Sequence, residues 1–201
     1  MKTKKKVFPP AGSILPVALY NGKLFFLFGK ENDLEDSAKG WSDFGGGCEN
    51  NDLPIDTAIR EAAEEMTGFL GQENDIRKMV NHMGTYNITV GTYHVHILVI
   101  QYDEKLPFYY NNNHAFLWNK MDKTLLNKTK LFEKIEMKWF TVDEMKTHKS
   151  SFRGFYQKIV DEILSQIPKI KKMVVSKTKT KKTKLNKLFK TKTIKIKMKG
   201  G

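Results

Sequence analysis

The stretch Arg60-Glu61-Ala62-Ala63-Glu64-Glu65 gathers three carboxylates and a guanidinium within six residues. On a helix, Glu61, Glu64 and Glu65 stand at i, i+3 and i+4, so at about 100° per residue they share roughly a 100° arc. Like charges so placed weaken a helix by a few tenths of a kcal/mol, ~0.2–0.5 per pair. A hard divalent cation such as Mg²⁺ or Mn²⁺ would cancel that repulsion, because such ions take carboxylate and carbonyl oxygens and bridge substrate phosphates. Gly45, Gly46 and Gly47 lie a short distance upstream, where bare backbone can approach a ligand closely. Arg60 is placed to orient the acids through charge-assisted hydrogen bonds. The plainer alternative for the acids alone is a solvated helix face.

The elements that must position these residues follow from hydrophobic periodicity. "SILPVALY" and "KLFFLFGKE" are β-rich runs joined across Asn21-Gly22, a hairpin signal. The polar connection "NDLEDSAKGWSDFGGGCENND" suits a loop over a site, with a short strand near "WSDF". From Pro54 to Gly68 the spacing predicts a helix: Pro54 in the first turn, Ile55, Ile59, Ala62 and Met66 as the apolar stripe, Gly68 as the stop. "TYNITVGTYHVHILVIQYD" predicts one or two strands, and "KLPFYYNNNHAFLWNKMDKTLLNKTK" a loop with little regular structure. "IEMKWFTVDEM" reads as a strand entering a turn, and "SFRGFYQKIVDEILSQI" as a helix ended by Pro168. Interspersed strands and helices imply an α/β fold with a mixed sheet.

The 201 residues are enough for one well-buried domain plus extensions, and 40% hydrophobic content is a globular value. The net charge of +13 is unevenly spread. Residues 169 to 201 hold 14 lysines and no acid, which leaves −1 for residues 1 to 168; setting aside the four lysines of "MKTKKK" leaves −5 for residues 7 to 168. A mildly acidic body therefore carries two basic ends, and only the ends would attract polyanions. This gives three segments: a basic arm at 1–6, a domain at 7–168 and a lysine-rich, disordered tail at 169–201. Cys48 is the single cysteine, and neither a secretory signal nor an apolar run of the roughly 20 residues needed to span a bilayer is present, so an intracellular compartment is expected, cytoplasmic or nuclear.

With its spacing, the central stretch is Gly46, five residues, Asp52, seven residues, Arg60-Glu61, two alanines and Glu64-Glu65. It closely resembles the Nudix box, Gly-x5-Glu-x7-Arg-Glu-U-x-Glu-Glu-x-Gly-U, where U is bulky and apolar. The resemblance implies an α/β/α sandwich with a mixed central sheet over residues 7–168. It also implies metal-dependent hydrolysis of a diphosphate linkage in a nucleoside diphosphate joined to another group X. The implied metal ligands for Mg²⁺ or Mn²⁺ are Glu61, Glu64, Glu65 and the Gly45 carbonyl, and the implied catalytic residues are Glu64, Glu65 and Arg60. Glu65 is the leading ligand, and Glu64 either binds metal or assists deprotonation of water. Asp52 stands where the family has Glu, and Thr67 where it has Gly, with Gly68 one step later; the helix is therefore expected to run one residue longer. Ala62 is small for its position.

Family members often draw a further acid from a later loop, for which Glu133 and Glu136 are candidates; the alternative is two surface glutamates balanced by Lys134 and Lys138. His94 and His96 share one sheet face, as metal ligands or as hydrogen-bonded residues of that face. The rings of "PFYYNNNHAFLW" and "WSDF" are candidate base-stacking partners, with core packing as the other role. A polycationic tail favours a phosphate-rich partner such as RNA, and with the Nudix resemblance points to a capped RNA and to decapping proteins of large DNA viruses. The alternatives are hydrolysis of small nucleotides or diphosphoinositol polyphosphates, a non-catalytic RNA-binding module, and a tail that anchors to anionic membranes.

Overall fold

The computed structural model describes residues 9–32, 39–49, 51–122, 124–125 and 133–178. The chain opens with a hairpin, β1 (Ala11–Tyr20) and β2 (Lys23–Glu31), whose two-residue turn places Asn21 at φ 47° and Gly22 at φ 75°. These positive angles are those of the turn that matches strand twist, which is why Asn-Gly predicts it. β1 pairs with β2 from Val17 to Tyr20, whereas its first half pairs antiparallel with β4 (Phe44–Gly47) and, on the other edge, parallel with β6 (Tyr93–Val99). β3 (Trp41–Ser42) pairs with β2, as does β7 (Lys134–Thr141), and β5 (Thr85–Val90) pairs antiparallel with β6. The fold is α/β, and among the described residues the strands form one mixed seven-stranded sheet.

Strand alternation sends side chains to two cores. Leu15, Val17, Val95 and Ile97 join one cluster; Ile14, Ala18 and Leu98 join the other, beneath α1 (Pro54–Glu65). The second cluster is completed by residues of α2 (Glu73–Met83) and α3 (Lys105–Lys120). The first is covered by α4 (Val142–Thr147), which follows β7 directly, and by α5 (Tyr156–Ser165). Helices therefore flank both sheet faces, as the sandwich requires.

Several expectations are corrected. "KLPFYYNNNHAFLWNK" is the helix α3 rather than a loop: its asparagines are weak helix formers, so its stability comes from tertiary contacts. The buried Tyr110 hydroxyl donates to the Glu65 carbonyl (3.0 Å) and the Lys134 carbonyl (2.8 Å), and the Asn111 amide bonds the Met137 backbone in both directions (3.2 and 2.8 Å). α2, not anticipated, starts at a Gln72–Asp75 capping box. α1 does not run a residue further. It ends at Glu65, and Thr67 itself adopts φ 47° at the position where the family has glycine, with Gly68 following at φ 79°.

Pro168 does not end the last helix either. It falls in the first turn of a second helical run over 167–178, where proline is tolerated because its missing N–H would be unpaired anyway. Ile170 and Val174, one turn apart, are fully buried in the first core cluster. The first ten residues assigned to an unstructured tail thus belong to the domain. Residues 179–201 and the arm at 1–6 lie outside the described residues. Among the described residues no helix is long and apolar enough to cross a membrane.

Candidate active site

The glycine run forms strand rather than loop. Asp43, between β3 and β4, is buried and accepts hydrogen bonds from the Ser13 hydroxyl (2.5 Å, to Oδ2) and the Tyr93 hydroxyl (2.7 Å, to Oδ1). Burial raises its pKa, against the lowering effect of those two bonds. These bonds tie the β3–β4 corner to β1 and β6, which fixes where Gly45, Gly46 and Gly47 run. The helix α1 then packs against them: a Cβ placed on Gly46 would lie 2.6 Å from Glu61 Oε1, and one placed on Gly12 would collide with the Pro54 carbonyl at 1.8 Å. Bare backbone at both points lets the helix approach the sheet this closely.

A cleft of ≈ 580 Å³ opens where α1 meets the glycine strand. Its walls bring together Gly45, Glu61, Glu64, Glu65 and Arg60, and also Glu133. The three helix acids are unequal in setting. Glu64 is the most open, its side chain 62% exposed and paired to Arg60 Nη1 at 3.2 Å. Glu61 is half-buried and paired to Arg60 Nη2 at 2.7 Å. Arg60 thus pairs with two of the acids. Burial pushes the Glu61 pKa up; the Arg60 charge opposes this, while Glu64 and Glu133 add to it.

Glu65 does not share the solvent-facing arc. It lies at the edge of the apolar stripe and is buried, with Oε2 accepting from the Gly45 N–H (2.9 Å) and Oε1 3.2 Å from Lys134 Nζ. Burial raises its pKa to about 8; Lys134 opposes the shift, and Glu31 and Glu133 reinforce it. Lys134 itself, 1% exposed, is the floor of the site: it donates to Glu31 Oε1 and to Ser42 Oγ (2.9 Å). Burial acts to discharge it, but Glu65 and Glu31 outweigh burial and hold the ammonium above the usual lysine value. Glu31 Oε1 also accepts from Ser42 Oγ (2.9 Å) and from Arg153 Nη1 (2.7 Å).

Glu31, Glu49, Lys134 and Arg153 were not anticipated as site residues. Glu31 and Lys134 are separated by 103 positions, so no local spacing announces them. The one available signal was charge placed at the end of otherwise buried strands. Lys134 is accordingly not a surface counter-charge, and Lys138 pairs with Glu144 at 3.3 Å instead. Glu136 is excluded from the cleft: on β7 it faces Lys30 at 3.9 Å, with both side chains exposed. Asp52 is exposed in the turn ahead of α1, its N–H donating to the Glu49 carbonyl (2.7 Å). His94 and His96 are hydrogen-bonded sheet residues, contacting Thr89 Oγ1 (3.2 Å) and Asn87 Oδ1 (3.0 Å). Burial, aided by the neighbouring His94, lowers the His96 pKa to about 4, so it stays neutral near pH 7. The "WSDF" rings, Trp41 and Phe44, are core residues. Cys48 lines the cleft, half-buried.

A larger hollow of ≈ 770 Å³ lies between α2 and the end of β6, but it is lined by groups such as Met79, Met83 and Tyr102 and holds no cluster of acids. The chemistry resides in the acidic cleft. Among the described residues six carboxylates, Glu31, Glu49, Glu61, Glu64, Glu65 and Glu133, line the cleft together with Arg60 and Arg153, with Lys134 bound to Glu31 and Glu65 beneath. Among the described residues no group of three or more Asp, Glu, His or Cys forms a ready-made metal cage. The donor set nevertheless fits a hard divalent ion: all-oxygen, in acid excess, with two carboxyl pKa values raised chiefly by burial and further by neighbouring acids.

Residues 12–161 match the family model of the NUDIX domain. The chain belongs to the Nudix family. It is a Nudix pyrophosphohydrolase, of a family that acts on nucleotide substrates and generally needs divalent metals such as Mg²⁺ or Mn²⁺. Similar solved structures include the Nudix hydrolase RenU of M. smegmatis, 14% identical, covering 80% of this chain and 88% of that one, at TM-score 0.44. A mutT/nudix family protein from Listeria innocua is 14% identical, with 82% and 97% coverage and TM-score 0.44. An Ap4A hydrolase from C. elegans is 14% identical, with 84% and 98% coverage and TM-score 0.42. No curated protein matches the sequence.

Proposed function

We propose that this Nudix enzyme cleaves the diphosphate linkage of a nucleoside diphosphate joined to X, with the 5′ cap of an RNA as its substrate. The observation that carries the hydrolytic part is the acid-rich cleft in which Arg60 braces Glu61 and Glu64 while Gly45 and Lys134 hold Glu65. Glu61, Glu64, Glu65 and the Gly45 carbonyl are the groups proposed to hold Mg²⁺ or Mn²⁺. Bound there, such ions would neutralise phosphate oxygens and lower the pKa of a water nucleophile. Glu64, the most open of the three helix carboxylates, is the proposed acceptor of that water's proton, with Arg60 proposed to keep it oriented. Glu133, on the cleft wall, is the proposed additional acid.

The RNA part rests on charge. Residues 179–201 contain ten lysines and no acid, suited to sequence-independent phosphate contacts. The rival substrate classes are small nucleotides and diphosphoinositol polyphosphates.

The test is a panel of capped RNA, cap dinucleotide, nucleoside triphosphates, ADP-ribose and diphosphoinositol phosphates, each with Mg²⁺ and with Mn²⁺. Capped RNA should be the best substrate, Glu65→Gln should abolish turnover, and removal of residues 179–201 should flatten the salt dependence of capped-RNA binding. Unchanged turnover by Glu65→Gln would refute the catalytic assignment. A preference for diphosphoinositol phosphates would refute the substrate.

A further inference from the structure

Arg153, which lines the cleft, comes from the loop between a 3₁₀ turn (Lys149–Ser151) and α5. That loop is tied down. Phe152 bridges to Trp41, the Arg153 N–H donates to the Trp41 carbonyl (3.0 Å), and the Arg153 carbonyl accepts from the N–H groups of Tyr156 (2.8 Å) and Gln157 (3.1 Å). Phe152 and Tyr156 are core residues, yet Phe155 between them is 49% exposed. Its ring is fixed on its inner side by Tyr93 (centroids 5.7 Å, 56° apart) and Tyr156 (6.0 Å, 89°).

The Arg153 guanidinium carbon sits 4.9 Å from the Phe155 ring centroid, while its Nη1 donates to the buried Glu31. A guanidinium held by one edge to a carboxylate and lying over a ring has few rotamers left. Tyr93 independently places this pair at the cleft end of the sheet: it pairs in register with Ala11, whose other partner is Gly47 of the glycine strand. The cleft therefore carries the acids of α1 and also Arg153, a planar cation held over the half-exposed ring of Phe155 beside it. Planar guanidinium groups and aromatic faces are the two surfaces on which nucleobases stack.

We propose that Arg153 and Phe155 form the platform that stacks the base of the nucleotide, so that the enzyme selects base-bearing diphosphates over base-free ones. This rests on the diphosphate reading of the same cleft and adds where the base lies. Lysine in place of Arg153 would keep the charge but lose the flat face, and leucine in place of Phe155 would keep apolar bulk but lose the ring.

The test uses uncleavable probes and the full chain with Mn²⁺: the α,β-methylene diphosphates of adenosine and guanosine, and methylenebisphosphonate as their base-free counterpart, titrated by calorimetry. Phe155→Leu and Arg153→Lys should each weaken both nucleotides about ten- to a hundredfold, in line with the stacking of one base. They should leave the bisphosphonate within twofold, and Phe155→Trp should restore nucleotide binding. Thermal melts check that the variants fold. Equal weakening of all three probes, or unchanged nucleotide binding by Phe155→Leu, overturns the platform. A wild type that binds the bisphosphonate as tightly as the nucleotides overturns the platform alone, whereas one that binds none of the probes overturns the diphosphate reading and the platform with it.

Discussion

Alanine placed in turn at Gly45, Gly46 and Gly47 should give three different results, because the three positions meet three different surroundings. At Gly46 a Cβ would lie 2.7 Å from Glu61 Cδ and 2.6 Å from its Oε1. Carbon atoms in contact sit at about 3.5 Å or more, so the Glu61 carboxylate must retreat by about 0.8 Å. The backbone there needs no positive φ, and the displaced group is the end of a side chain, so stability should change by less than about 1 kcal/mol. A displacement near 1 Å in catalytic groups can cost about 10²-fold, so kcat/KM should fall by ~30- to 100-fold, up to ~2.7 kcal/mol of transition-state stabilisation. At Gly45 the added carbon meets the β1 backbone, 2.4 Å from the Gly12 carbonyl oxygen and 2.5 Å from Ser13 Cα. Backbone cannot swing aside, and Gly45→Ala should destabilise by about 1–3 kcal/mol or more. At Gly47 nothing lies within 4 Å, so Gly47→Ala should leave both stability and turnover near wild type. Urea denaturation and steady-state kinetics on one cleavable substrate separate the three. Wild-type turnover by Gly46→Ala would refute the claim that Glu61 must sit where it does.

Further outcomes follow from strain, titration and burial. Thr67→Gly should stabilise by ~0.5–1 kcal/mol in urea, since a β-branched residue at φ 47° carries a penalty of roughly 1–2 kcal/mol, partly offset by glycine's extra freedom when unfolded. Glu65 has a folded pKa near 8, above its unfolded value of about 4.3, so the folded chain binds the extra proton. Without metal, its contribution is fully present below about pH 4.3 and is lost as pH rises to 8, with a slope no steeper than ~1.4 kcal/mol per pH unit. Glu65→Gln should flatten that part of the profile of melting temperature against pH, and an unchanged slope would contradict the assignment. Ile170→Ala should cost ~2–4 kcal/mol, a loss that no residue of an unstructured tail would produce.

Local pattern made some parts of this molecule legible and left others hidden. The β1–β2 hairpin, the stripe of α1 and the Arg60–Glu65 cluster are short-range features, each set by turn chemistry or helical period, and all could be read directly. α3 could not, because its asparagines oppose a helix and its order comes from Tyr110 and Asn111 bonding to β7 and α1. The floor of the site was hidden for the same reason: Glu31, Lys134 and Arg153 meet only through the sheet. The lysines of 169–178 masked Ile170 and Val174, since a charge count averages over a helix whose other face is buried. Glu65 carries a parallel lesson. Its spacing grouped it with Glu61 and Glu64, yet at the helix end it turns inward, onto Gly45 and Lys134.

The most direct measurement is a titration of the full chain with Mn²⁺, following free ion by electron paramagnetic resonance, on wild type, Glu61→Gln and Gly46→Ala. Saturable uptake by wild type, weakened at least tenfold in both variants while their melting temperatures hold, is the predicted result. No uptake by a folded wild type, or uptake that neither substitution weakens, would contradict the claim that this acidic cleft exists to hold a divalent ion against a diphosphate.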